Sequence, residues 1–201
     1  MTRASSTPTR RETELLELAY AYVLQYGLAD MSLRPLAKAI GSSPRVLLYL
    51  FGSKEGLIRA LLARARTEEL ELLSRTPSVS DLGADGLHVV AERLWSWLAA
   101  DDHRGLLTLW VEGYAHSLVE PEGPWGSFAS DTVNDWLKVL AAAQPRTERN
   151  TSAGRAERTL VLAVLRGALL DLLATGDVAR TSAAVRSQLH PTARHSRERA
   201  R

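Results

Sequence analysis

Four cationic side chains able to hold a phosphate or a base edge fall in the first third of the 201-residue chain: Arg34, Lys38, Arg45 and Lys54. Arg45 stands in the run GSSPRVLLYLFGSKEGL, residues 41–57, with Tyr49 and Lys54 close behind it. Its guanidinium can bond a guanine edge or a phosphate, and the Tyr49 hydroxyl can reach a phosphate oxygen. Lys54 opens a helix, where a phosphate also meets backbone N–H groups. Arg34 and Lys38 lie one helical turn apart, a spacing that suits the backbone beside a groove. Catalytic chemistry has no comparable cluster. The chain lacks cysteine, a glycine-rich phosphate loop and a G-x-S-x-G nucleophile motif, so it reads as a non-enzyme that needs no cofactor. Glu112 and His116 stand at i, i+4, but no second such pair completes a set of ligands, and no metal site is expected.

These cations need elements to hold them, and the apolar spacing supplies helices. Leu15, Leu18, Ala19, Tyr22 and Tyr26 make a stripe that ends at Gly27. Ser32 is placed to cap a second helix, with Leu33, Leu36, Ala37 and Ile40 on one face and Pro35 harmless in the first turn. Ser43 caps a short third helix with Pro44 at its favoured first position, and Gly52 ends it. On that helix Ser43, Leu47 and Leu50 share an inward face, leaving Pro44, Arg45, Leu48 and Tyr49 outside. Ser53 then caps a helix whose stripe is Leu57, Ile58, Leu61, Leu62 and Ala65, running on towards residue 74. Two short helices at a sharp angle make a helix-turn-helix. Five more helices are expected near 82–100, 103–119, 126–143, 153–175 and 178–189, with no strand pattern anywhere.

The run from Arg10 to Ala65 resembles the N-terminal DNA-binding domain of TetR-family transcriptional regulators. Its carriers are the Leu15–Gly27 helix, Met31-Ser32, Leu36-Ala37 with Ile40-Gly41, Ser43, Leu47, and the block Phe51 to Leu57 (FGSKEGL). The resemblance covers about a quarter of the chain. It implies that residues 43–50 enter the major groove and that Lys54 binds phosphate. Where the family has tyrosine in its Leu-Tyr-x-x-Phe pattern this chain has Leu48, with Tyr49 one place later. Leu50 stands where histidine is common, and Val46 stands where threonine often reads a base, so Val46 is left with apolar contacts such as a thymine methyl. The DNA-binding set is therefore Ser32, Arg34, Ser43, Pro44, Arg45, Val46, Leu48, Tyr49 and Lys54.

Charge divides the same way. Residues 1–66 carry 10 Lys+Arg and 5 Asp+Glu, net +5, while residues 67–189 carry 11 and 17, net −6. A basic front on an acidic body suits a polyanionic partner. The expected organisation is all-α: a flexible arm at 1–9, the three-helix DNA-binding domain at 10–65, a helical ligand-binding and dimerisation domain at 66–190, and a disordered basic tail at 191–201. Helix 159–175 is apolar nearly all round, and the next presents Val178, Ser182, Val185 and Leu189. Both are expected to pack on their mates in a two-fold homodimer. All five tryptophans lie in the body. Trp95, Trp110, Tyr114, Ser117, Trp125 and Phe128 are the candidates to line a site for a small apolar or aromatic effector, with His103, Glu112 and His116 as further polar groups. The N-terminus has no apolar signal segment, and Arg166 and Asp171 interrupt the longest apolar run, so a cytoplasmic protein without a membrane partner is expected. The function these features imply is a ligand-responsive regulator, a repressor on a palindromic operator. The rivals are an activator of the same fold and a helical protein-interaction module without DNA binding.

Overall fold

A computed structural model describes residues 9–28, 31–74 and 86–189. The expected arm (apart from Thr9), the basic tail and the start of the 82–100 helix lie outside the described residues. Among those residues the chain is all-helical: α1 Arg10–Tyr26, α2 Leu33–Ala39, α3 Pro44–Phe51, α4 Lys54–Ser74, α5 Gly86–Leu98, α6 Arg104–Val119, α7 Phe128–Ala142, α8 Ser152–Thr175 and α9 Val178–Leu189, with a 3-10 turn at Asp101–His103 before α6. None of these helices is long and apolar enough to cross a membrane.

The chain divides into two compact units. The first holds the residues through Glu68 together with Gly105–Ala129; the second holds Glu69–Arg104 and the residues from Ser130 onward. The expected boundary is at 65/66, and the first break between the units is at Glu68/Glu69. The difference is α6, which joins the first unit.

In the first unit, α1 starts earlier than its apolar stripe because Thr9 and Glu12 form a reciprocal capping box. Its inward face is Leu15, Ala19, Tyr20 and Val23. The expected Leu18 and Tyr26 face outward, 44% and 63% exposed. The cause lies on α4: the Tyr20 hydroxyl donates to the Glu68 carboxylate at 3.2 Å, and the Arg64 guanidinium sits 4.8 Å from the Tyr20 ring centroid while also bonding Glu17 at 2.7 Å. Burial first, and the Glu68 charge next, push the Tyr20 phenol well above its usual range. Leu36 and Ala37 of α2, Leu47 of α3, and Leu57, Ile58, Leu61 and Leu62 of α4 are buried in the same unit.

Helix α6 is bound tightly into this unit. A side chain at Gly105 would run into the Leu24 carbonyl, and one at Gly113 would meet Leu62 and Phe128. The Glu112 carboxylate accepts the Leu28 N–H at 2.8 Å, just past the end of α1.

In the second unit, α5, α8 and α9 pack on one another. The buried Trp95 indole donates to Ser182 Oγ at 2.9 Å. Gln144 fixes the α7–α8 turn from inside, donating to the Gly154 carbonyl at 2.8 Å and accepting from Arg158 at 3.0 Å. Arg180 grips Asp171 with two bonds of 2.6 and 2.7 Å across the α8–α9 turn and holds that carboxyl below its usual range.

Candidate nucleic-acid interface

Helix α3 is built by its ends. Ser43 Oγ accepts the Val46 N–H at 3.3 Å, Pro44 fills the first turn, and Gly52 closes the helix at φ +80°, where a side chain would be strained. Leu47 is its one fully buried residue; Leu50 is half-buried and Ser43 exposed. The inward face is therefore narrower than the spacing suggests, because Ser43 is spent on capping. Outward stand Arg45, Val46, Leu48 and Tyr49, the last three 38%, 41% and 74% exposed.

Helix α2 packs on α3 and α1 and buries Leu36 and Ala37. Arg34 and Lys38 are exposed on it, as expected of an outer face. Ser32 occupies the N-cap position, but its side chain makes no capping bond. It stays exposed, so its hydroxyl is available to solvent or to a phosphate.

Lys54 opens α4 and is half-buried. Its surroundings are less purely cationic than the sequence implies. Ser53 Oγ already accepts the Gly56 N–H at 3.0 Å. The adjacent Glu55 carboxyl is held below the usual carboxylate range by its own backbone N–H and by the Ser53 side chain. An anion approaching this helix start meets one cation and one anion. The α3–α4 corner itself is tight: a Cβ on Gly56 would collide with the Phe51 carbonyl oxygen.

The effector candidates fall into both units. Trp110, Tyr114 and Ser117 lie on α6, Trp125 on the turn after it and Phe128 at the start of α7, in the unit of the head, whereas Trp95 lies in the second. Trp110, Trp125, Phe128 and Ser117 are buried and Tyr114 half-buried. The polar groups around them have structural duties. Ser117 Oγ donates to the Gly126 carbonyl at 2.7 Å and accepts the Ala129 N–H at 3.2 Å, which folds the turn from α6 into α7. His116 stacks on Trp125 with ring centroids 4.3 Å apart, and Glu112 is engaged at Leu28. In the second unit His103 stacks on Trp97 at 4.0 Å. Trp95 spends its N–H on Ser182, as already described.

Sequence reasoning passed over the buried acid of α4. Glu69 accepts the Trp136 indole N–H and is 6% exposed. Its signal was present: it continues the α4 stripe of Leu61, Leu62 and Ala65 by one further turn, an acid in core register. Among the described residues no group of three His, Asp or Glu side chains is placed to hold a metal ion.

Residues 15–61 match the family model described as bacterial regulatory proteins, tetR family. The chain is 25% identical over 126 residues to the HTH-type transcriptional regulator BetI of Stenotrophomonas maltophilia (strain R551-3), an alignment that covers 61% of each chain. A structure of the multidrug binding protein EbrR complexed with imidazole superposes with a TM-score of 0.65 at 25% identity, covering 94% of this chain and 96% of that one. A transcriptional regulator from Rhodococcus sp. Rha1 shares the fold at a TM-score of 0.71 with 17% identity, covering 94% and 97%.

Proposed function

We infer from the chain's place in the TetR family of bacterial regulatory proteins, to which it belongs, that it binds operator DNA as a dimer and leaves it when a small molecule binds the body. The observation that carries the DNA-binding part is the outward face of α3. An eight-residue helix held in the fold by one fully buried leucine exposes Arg45, Val46, Leu48 and Tyr49 together. Such large side chains contribute little to the core from there, but they suit a groove. Ser32, Arg34, Ser43 and Lys54 would hold the flanking phosphates, and Pro44 would make only apolar contact with the duplex.

The dimer is assigned to α8 and the start of α9, because Ser182, Val185 and Leu189 of the expected α9 stripe are buried within the chain. Val161, Leu162, Leu165, Leu169 and Leu172 face inward, while Leu160 and Leu170 are 52% and 53% exposed and Val178 39%. A side chain at Gly167, between the two exposed leucines, would meet nothing. A second copy is the natural cover for an apolar stripe of this kind. Two α3 helices related by that axis would read a palindromic operator.

Effector binding is assigned to the aromatic group from α6 to the start of α7, Trp110, Tyr114, Ser117, Trp125 and Phe128, with Trp95 belonging instead to the α5–α9 packing. EbrR, which shares this fold, is described as a multidrug binding protein, which supports a small apolar or aromatic effector here. A regulator of this kind acts in the cytoplasm, on the chromosome, and needs no catalytic residue or cofactor.

The test is footprinting of the purified protein on genomic fragments from around its own gene. Two protected half-sites about one helical turn apart are expected, with affinity falling steeply as salt rises. Protection no better than on random duplex would leave the rival interaction module standing. Transcription from the protected fragment, with and without protein, gives the sign: a fall for the repressor proposed here, a rise for an activator.

A further inference from the structure

We propose that α3 recognises thymine by its C5-methyl group, through Val46 and Leu48, so that each operator half-site carries thymines beneath these two side chains. The inference rests on the DNA-binding reading above and says which feature of the duplex that face selects. Val46 and Leu48 flank the buried Leu47 on either side, at the two borders of the exposed face of α3, and are 38% and 41% open to solvent. Neither can donate or accept a hydrogen bond. The thymine methyl is the one apolar group that an unmodified base pair presents in the major groove, so it is the feature such side chains can select.

Hydrogen-bonding readers are few on this helix. Pro44 has no N–H to offer. The Ser43 hydroxyl already accepts the Val46 N–H at 3.3 Å, which also takes up one of the free donors of the first turn. Arg45 remains for a guanine edge, and Tyr49, 74% exposed, reaches outward towards the backbone. Val46 is β-branched and stiff in a helix, so its methyl groups stay where the backbone puts them. A stiff apolar contact discriminates by fit, and loses most of its value when the methyl beneath it is gone.

An exposed apolar face could instead dock a protein. The surrounding charge argues for a polyanion. Residues 31–59 carry Arg34, Lys38, Arg45, Lys54 and Arg59 against Glu55 alone. A protein surface that fitted the apolar residues would also have to meet that cationic surround, whereas a duplex supplies the methyl groups and the phosphates together.

The experiment starts with selection of duplexes from a random-sequence pool by the full-length protein. In a selected duplex each thymine is replaced in turn by deoxyuridine, which removes the methyl and leaves pairing intact. Loss of one well-packed methyl is expected to weaken binding about fourfold at one or two thymines per half-site. The same replacement should have no effect at one of those positions for Val46→Ser and at another for Leu48→Ser. Both residues are exposed, so both variants should fold, and a helical far-UV circular dichroism spectrum with an unchanged thermal unfolding transition checks this. If deoxyuridine is tolerated at every position, methyl reading is wrong although the protein remains a specific DNA binder. If the deoxyuridine effect persists undiminished in both variants, the methyl acts through duplex shape and the assignment to these residues is overturned. If no sequence is enriched, the DNA-binding reading itself fails and takes this inference with it.

Discussion

Arg45 and Lys54 are both cations, but a duplex would feel their loss differently. Arg45 is exposed on the outer face of α3, whereas Lys54 is half-buried at the start of α4. Arg45→Ala is expected to cost about 1–3 kcal/mol at the specific site and to relax preference at one or two base pairs. Lys54→Ala should weaken all duplexes alike and flatten the salt dependence. Titrations of specific and random duplex over a salt series separate the two; an equal loss on both for Arg45→Ala would make Arg45 a phosphate contact only. Glu55 gives a second prediction of opposite sign. Its carboxyl stays ionised below the usual range and stands beside Lys54. Glu55→Gln removes a charge that repels phosphate, so random-duplex affinity should rise, most at low salt. Unchanged affinity would place the backbone of the duplex away from this helix start. These roles were only partly legible in the sequence. Lys54 and Arg45 were marked by residue type and by the resemblance of the surrounding run. That Ser43 caps its helix while Ser32 does not was invisible, because the two serines hold equivalent positions and differ only in where the hydroxyl points.

At the scale of elements, the helices were legible because their ends are written in residues with one dominant use. Gly27, Gly41 and Gly52 follow α1, α2 and α3, all with positive φ, a backbone state that other residues enter at a cost. The inward face of α1 was less legible. Two near-equivalent apolar stripes were available, and the choice fell to Tyr20 because Glu68 and Arg64 wait on α4, far along the chain. The place of α6 was not legible at all. Nothing local marks Glu112 as the acceptor for the Leu28 N–H, or Gly105 and Gly113 as the points where α6 approaches α1, α4 and Phe128. The Glu112 bond is a strut with a measurable value. Leu28 is 1% exposed, so removing its acceptor leaves a poorly solvated donor. Glu112→Ala is expected to destabilise the protein by about 1–3 kcal/mol. Glu112→Gln, which keeps a carbonyl oxygen in reach, should cost clearly less. Chemical denaturation of the two variants checks this, and equal losses would mean that the carboxylate charge, not the hydrogen bond, is what α1 needs.

At the scale of the whole molecule, the two helices assigned to the dimer and the aromatic group assigned to the effector make separate demands. Leu170→Glu places a charge on an exposed position of α8 and should yield folded monomers by sedimentation; Leu165, 1% exposed on the inner side, would unfold the chain if treated the same way. A Leu170→Glu protein that still sediments as a dimer would move the interface elsewhere. The effector raises a question of coupling. Trp110, Tyr114, Trp125 and Phe128 belong to the same compact unit as the head, and α6 reaches the end of α1 through Glu112. An effector held there can act only by binding the DNA-competent and DNA-incompetent arrangements of the dimer with different affinities. Coupling of this kind amounts to about 1–3 kcal/mol, or about 5- to 150-fold in operator affinity. Linkage then requires saturating operator to weaken effector binding by the same factor. Every tryptophan of the chain lies outside the head helices α1–α3, so their emission reports the body without interference from recognition residues. A true effector should change that emission, and its Kd should rise when operator is present. A compound that binds equally well with and without operator is not the effector, whatever its affinity. If Trp110→Ala leaves a genuine effector's Kd unaltered while the same protein still binds operator normally, the effector sits outside the α6 aromatic group.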